Sequence, residues 1–240
     1  MPNNYFQFKQ FTVQQDHCAM KVTTDGCLFG AYVVERITNY KLQITNCLDI
    51  GTGTGLLSLM LAQKIDTHID AIEIDAAAYS QAKENFDLSP WKNRLSIFNA
   101  DILQFDPGKK YDCIITNPPF FEDDLRSTDK NKNNAKHDTA LTLKQLLAVV
   151  NEHLKEDGVF FVLLPYPRVN YFIEIAAALD LHLSAQLNIR QTPTHNYFRS
   201  ILSFTGKAST ATITELTIKD SGNSYTAEFS DLLKDYYLHL

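Results

Sequence analysis

Five short apolar runs, at residues 47–50, 69–74, 95–98, 111–116 and 159–164, alternate with stretches of helical spacing at 56–63, 75–86 and 141–154. Apolar runs of four to six residues with little polar alternation fit strands buried on both faces. Strand, helix, strand in succession predicts a parallel sheet with helices on each face, a three-layer α/β architecture. Right-handed crossovers then bring the strand carboxyl ends to one edge, where ligands bind. Beyond 165 the pattern changes. Residues 171–179 read as a helix, and 181–190 and 197–205 as two antiparallel strands. A short strand at 212–219 and a helix at 227–237 follow. At the front, Phe6, Phe8, Phe11 and Val13 hint at strands, and 27–37 at a helix. The expected organisation is one domain over 1–240: an extension and lid (1–40), a core (41–205) and a closing strand and helix (206–240).

A chain of 240 residues with 45% hydrophobic content can bury roughly 70–75% of its unfolded surface without staples. Its 22 basic and 28 acidic residues give a net charge of −6, which argues against coating nucleic acid by bulk electrostatics and leaves a local basic surface open. Cys18, Cys27, Cys47 and Cys113 show neither C-x-x-C nor zinc spacing, so no metal is expected and free thiols are. The first nine residues lack the apolar core of a signal peptide, and no run approaches the ~20 apolar residues of a membrane span. The expectation is a cytoplasmic chain without a membrane or an obligate protein partner.

Chemistry concentrates at the predicted strand ends. Asp49-Ile50-Gly51-Thr52-Gly53-Thr54-Gly55 lies between the first core strand and a helix. Glycines permit a sharp turn and close approach of a ligand, and the helix start offers free N–H groups to an anion. In this D-x-G-x-G-x-G the third glycine falls one position earlier than in G-x-G-x-x-G dinucleotide loops. It suits a nucleotide-like cofactor, with a tight structural turn as the alternative. Glu73, 22 residues after Gly51, can accept both hydroxyls of a ribose, or be a plain strand-end acid. Asp75 is a rival that more naturally caps the next helix. Asp101 can accept from the amine of an adenine, with Ile102 against the ring, or cap a turn.

The most specific motif is Asn117-Pro118-Pro119-Phe120 after the fourth strand. Two prolines stiffen the turn and aim the Asn117 side chain and the Pro118 carbonyl at one point. Two converging acceptors suit an –NH₂ group, which has two hydrogens to donate. Phe120 or Phe121 offers a face for a planar ring. His137 reads as a loop residue, not a base.

These motifs together resemble class I S-adenosylmethionine-dependent methyltransferases that act on planar amines. With Lys9-Gln10-Phe11, residues 18–26, Gln63 and Ser89-Pro90-Trp91, the arrangement is similar to the bacterial tRNA1(Val) adenine-37 N6-methyltransferases over nearly the whole chain. The resemblance implies a Rossmann-like class I methyltransferase sheet, mostly parallel with an antiparallel C-terminal hairpin. It implies S-adenosylmethionine as cofactor: its amino-acid part over Asp49, Gly51, Gly53 and Gly55, its ribose on Glu73 beside Ile74, its adenine beside Asp101 and Ile102. Thr23, Thr24 and Asp25 would close over it, unless Asp25 only caps a helix. Asn117, Pro118, Pro119 and Phe120 would be catalytic, with Asn117 also at the cofactor, and tRNA the partner.

The same proline motif, by resemblance, also serves guanine N2, adenine in DNA and glutamine amides; a binding module without catalysis is a further rival. No spare chain is evident for a peptide- or DNA-recognition domain. Residues 125–137 carry +3 through Arg126, Lys130, Lys132 and Lys136 against Asp129, while 208–240 carry −3. The expected RNA contacts are those four and Arg199, with the C-terminal acids held away from the site. Such a small patch predicts weak, salt-sensitive RNA binding.

Overall fold

Consecutive strand residues point to opposite sides of a sheet, so a strand covered on both sides is apolar at most positions. The computed structural model, which describes residues 4–16, 21–118 and 141–240, has this arrangement. Its central sheet has eight strands in the order β10-β8-β9-β7-β6-β3-β4-β5. They are β3 (Asn46–Ile50), β4 (His68–Glu73), β5 (Leu95–Asn99), β6 (Tyr111–Thr116), β7 (Leu154–Pro165), β8 (His182–Arg190), β9 (Tyr197–Thr205) and β10 (Thr212–Thr217). Only β9 runs against the rest: it pairs antiparallel with β7 and β8, while β10 joins β8 in parallel. The short strands β1 (Tyr5–Gln7) and β2 (Thr12–Gln14) form a separate antiparallel pair.

The two faces divide the apolar runs residue by residue. Cys47, Cys113, Ile115, Phe161 and Leu163 face one core with α1 (Thr24–Asn39), α2 (Leu56–Lys64) and α6 (Ala227–Leu233). Leu48, Ile114, Phe160, Val162 and Leu164 face the other with α4 (Leu143–His153) and α5 (Val169–Ala177). The remaining helix, α3 (Ala76–Leu88), follows β4, and its Phe86 joins the first core. The local signals are conventional. Asp75 caps α3 by accepting from the Ala78 amide at 2.8 Å. Thr142 and Gln145 form a reciprocal capping box on α4. Cys27, Cys47 and Cys113 are buried free thiols, and burial pushes the Cys27 thiol up to about 12.

Several boundaries differ from the sequence expectation. Helical spacing suggests α4 continuing to a stop at 157–158, but the helix ends at His153 and Leu154 already pairs with Tyr111. The next pair is Cys113 with Val159, so 155–158 loops out of the strand. Lys155 Nζ donates to Asp112 Oδ1 at 2.6 Å across this bulge. At Gly158 a Cβ would lie 2.8 Å from Leu154 Cγ, so only glycine fits there. The expected strand 69–74 shifts to end at Glu73, leaving Ile74 exposed. The last helix stops at Leu233 instead of 237. Among the described residues, no helix is long and apolar enough to cross a membrane and no cluster of side chains could hold a metal.

The site depends on how closely α1 packs on α2. Gly30 makes this possible, because a Cβ there would sit 2.7 Å from Met60 Sδ and 3.1 Å from its Cβ. Gly30→Val should lower the unfolding free energy by about 1–3 kcal/mol in urea titration. An unchanged midpoint would show that the two helices have room to spare.

Candidate active site

The carboxyl ends of the parallel strands converge at one edge, and the predicted residues map onto it in strand order. Asp49 sits near the end of β3, wholly buried. Its Oδ2 accepts from Thr52 Oγ1 at 2.6 Å and from Ser58 Oγ at 2.7 Å. Its Oδ1 is buried without a partner among the described residues. Burial pushes this carboxyl up to about 6, although the two hydroxyls pull it down.

The three glycines have different tasks. Gly51 and Gly53 hold φ of +69° and +58°, and a Cβ on either would meet nothing within 4 Å. They keep the backbone turned and its outer side open. Gly55, at φ +82°, is closed in: a Cβ would lie 2.5 Å from Phe86 Cε1 on α3. The third glycine of the motif therefore seats α2 against α3.

Glu73, almost buried, braces this loop. Its Oε2 accepts from the Gly53 amide at 2.9 Å, and its Oε1 from the Asp75 amide at 3.0 Å. Each oxygen retains a further lone pair for a ligand hydroxyl. Asp75 itself is the helix cap. Ile74 stands 61% exposed beside Glu73, an apolar face at an otherwise polar rim. Asp101 is half-buried and its Oδ1 accepts from the Leu103 amide at 3.0 Å, so it closes a turn while Ile102 fills the core beneath.

Asn117 follows β6, next to the glycine loop. Its Oδ1 is buried and, like that of Asp49, has no partner among the described residues. Pro118 is buried beside it. An unsatisfied buried acceptor costs about 1–3 kcal/mol, so two at one edge suit a ligand that donates to them. Pro119, Phe120, Arg126, Lys130, Lys132 and Lys136 lie outside the described residues.

At the start of α1 the N-cap is Thr23, whose side chain accepts from the Gly26 amide, and Asp25 Oδ1 accepts from that same amide at 3.1 Å. Asp25 Oδ2 takes a further hydrogen bond from Arg199 Nε on β9 at 2.9 Å, both side chains being largely buried. Arg199, expected at RNA, thus also joins β9 to the start of α1. Glu215, expected away from the site with the other C-terminal acids, lies at this same edge. It accepts from the Tyr197 hydroxyl at 2.5 Å and pairs with Arg190.

Some working residues escaped the sequence reading. Thr116 Oγ1 donates to the Ile50 carbonyl at 2.8 Å and locks the ends of β6 and β3 together. Asn99 donates to the Glu73 and Ile74 carbonyls. Asn85 joins the glycine loop at the Thr54 carbonyl to the Gln14 backbone of β2. Ser58 alone had a visible signal: it is the one hydroxyl in Leu56-Leu57-Ser58-Leu59-Met60-Leu61.

A family model described as the methyltransferase small domain matches residues 31–180. A tRNA1(Val) (adenine(37)-N6)-methyltransferase from Bacteroides thetaiotaomicron is 40% identical over 242 residues, covering 100% of both chains. One from Klebsiella pneumoniae is 39% identical over 244 residues, covering 100% of this chain and 97% of its own. A solved predicted O-methyltransferase from Agrobacterium tumefaciens shares the fold, with a TM-score of 0.66 at 14% identity over 88% of this chain and 96% of that one.

Two predictions test the site. Asp49 keeps its proton to about pH 6 when folded and loses it near 3.8 when unfolded. Raising pH through that window therefore destabilises the fold, by about 3 kcal/mol in all. Asp49→Asn should remove this slope, so the variant gains on wild type between pH 4 and 6 in denaturant titrations; a pH-independent difference would mean an ordinary carboxyl. Arg199→Ala should weaken cofactor affinity about 5- to 10-fold by calorimetry, a loss of roughly 1–1.5 kcal/mol, with Arg199→Lys in between. Unchanged cofactor affinity with weaker RNA binding would leave Arg199 acting at the RNA alone.

Proposed function

The chain belongs to the family of tRNA1(Val) (adenine(37)-N6)-methyltransferases, and from that premise we propose that it transfers a methyl group from S-adenosylmethionine to the exocyclic N6 of adenosine 37 in tRNA1(Val). The observation that carries this reading is the buried, unpartnered Asn117 Oδ1 at the end of β6, beside the open glycine loop. An acceptor with no hydrogen to receive is costly there unless the substrate brings one.

The donor set fits the cofactor. Asp49 Oδ1, buried and unpartnered, accepts from a cationic ammonium, which returns that carboxyl to its ionised form. Gly51 and Gly53 let the backbone approach the amino-acid part. Glu73 takes the ribose hydroxyls with its free lone pairs, Ile74 offers its exposed side chain to a ring, and Asp101 accepts from the adenine amine. Thr23, Thr24 and Asp25 cover the site from α1. When bound, S-adenosylmethionine supplies a methyl group on an electrophilic sulfonium.

An adenine N6 lone pair is delocalised into its ring and is a weak nucleophile. Asn117 Oδ1 and the Pro118 carbonyl each accept one of the two N6 hydrogens. That favours a more tetrahedral nitrogen and turns its lone pair away from both acceptors, toward the cofactor side. Positioning and fixed dipoles then supply most of the acceleration, and the amine proton departs after transfer without a dedicated base. The target base must leave its stack to enter, and an aromatic face at Phe120 compensates for the stacking it loses. The enzyme works in the cytoplasm, needs no protein partner and draws further RNA affinity from Arg126, Lys130, Lys132 and Lys136.

The test is transfer from labelled cofactor to total RNA lacking the modification, followed by nucleoside analysis. N6-methyladenosine is the expected product; N2-methylguanosine would assign a different acceptor. Asn117→Ala should hold cofactor affinity while kcat falls about 10²–10³-fold. Near-normal turnover in that variant would remove Asn117 from the chemistry.

A further inference from the structure

The carboxyl edge divides at Asn117. On one side, over β3, β4 and β5, stand the glycine loop, Glu73 and Asp101. On the other side are the ends of β7, β9, β8 and β10. If the first side holds the cofactor, as proposed above, an acceptor base reaches Asn117 from across β7 and β9, and the RNA continues over those strand ends.

Two tyrosines stand on that path. Tyr166 follows Pro165 at the end of β7, in a single 3₁₀ turn spanning Tyr166–Arg168. Tyr197 opens β9, whose next pairing with β7 is Arg199 to Pro165. Their rings lie 5.2 Å apart at 47°. Tyr166 is 39% exposed, and neither ring contributes to either core. Tyr197 is held from behind. Its hydroxyl donates to Glu215 at 2.5 Å, and the Arg190 guanidinium lies 5.5 Å over its ring. Arg190 is in turn fixed by Thr217 Oγ1 at 2.9 Å and Glu215 at 3.0 Å.

The result is an aromatic surface set in place before any ligand arrives. A nucleobase suits it better than a phosphate does. Of the nearby cations, Arg168 closes the same turn as Tyr166, while Arg190 and Arg199 are each paired with a carboxylate; every base has a π face to stack. Extruding one adenine also leaves its neighbours without a stacking partner. Pre-ordered rings lose little conformational entropy on binding.

We propose that Tyr166, backed by Tyr197 and Arg190, is a stacking platform for a nucleobase adjacent to the methylated adenosine in a single-stranded RNA loop. This rests on the tRNA reading above. Stacking is then a larger share of RNA affinity on this side of the edge than charge.

The test uses the full chain, unmodified tRNA and saturating cofactor, with Tyr166→Ala and Tyr166→Phe. Loss of one stacked base should raise the tRNA KM roughly 5- to 100-fold in the alanine variant. Cofactor Kd and the thermal midpoint should stay at wild-type values, and phenylalanine should restore most of the affinity. A fluorescent base analogue placed beside the target adenosine should be quenched on binding wild type and Tyr166→Phe, and much less by Tyr166→Ala. An unchanged tRNA KM in Tyr166→Ala, a matching loss of cofactor affinity, or a phenylalanine variant as poor as alanine overturns the platform alone. A wild-type chain that transfers nothing to tRNA overturns the activity and the platform together.

Discussion

The edge is organised around a carboxylate in the wrong solvent. Asp49 is wholly buried and takes hydroxyls from Thr52 and Ser58 on one of its oxygens. Those bonds tie the end of β3 to the first turn of α2, so the loop between them keeps one shape. Glu73 completes the tie by accepting from Gly53 and Asp75 together, which joins the loop to the start of α3. The backbone openings at Gly51 and Gly53 are usable because these acids fix everything around them. The other oxygen of Asp49 has no partner among the described residues, which costs stability.

Much of this was legible without coordinates. Strands covered on both faces cannot hide: 159–164 is apolar throughout, and 47–50 and 111–116 are interrupted only by Asp49, Asp112 and Thr116, because both helical layers press on them. The acids at the ends of these runs and Asn117 just after one were legible because a polar residue there breaks the apolar pattern at the strand end. What stayed hidden was long-range. Arg199 and Asp25 are 174 residues apart, and nothing in either neighbourhood announces the other. The bulge at 155–158 imitates a helix stop because Asp157-Gly158 ends helices and loops alike. Gly55 looks like its two companions, yet its neighbour is Phe86 and not a ligand.

The two halves of the edge also differ in chemistry. The β3–β5 side presents buried acids and open backbone, suited to a small polar ligand with a cationic group. The β7–β10 side presents tyrosines and arginines already paired with acids, suited to flat rings. Asn117 belongs to both, and Thr116 keeps it in register with the loop by holding β6 to β3. Glu215, an acid at the second half, shows that net charge is a poor guide to local structure: it orders Arg190 and Tyr197.

The strand order has a consequence for how the chain is made. β8 leaves the ribosome before β9 but lies outside it, so the sheet cannot be extended past β7 in the order of synthesis. Until Tyr197–Thr205 has emerged and inserted, β7 presents an unpaired backbone edge along the most apolar segment of the protein. An edge of that kind is a template for any other extended chain. A nascent chain paused between 166 and 196 is thus the form most exposed to mispairing, and one reversed strand closes that window.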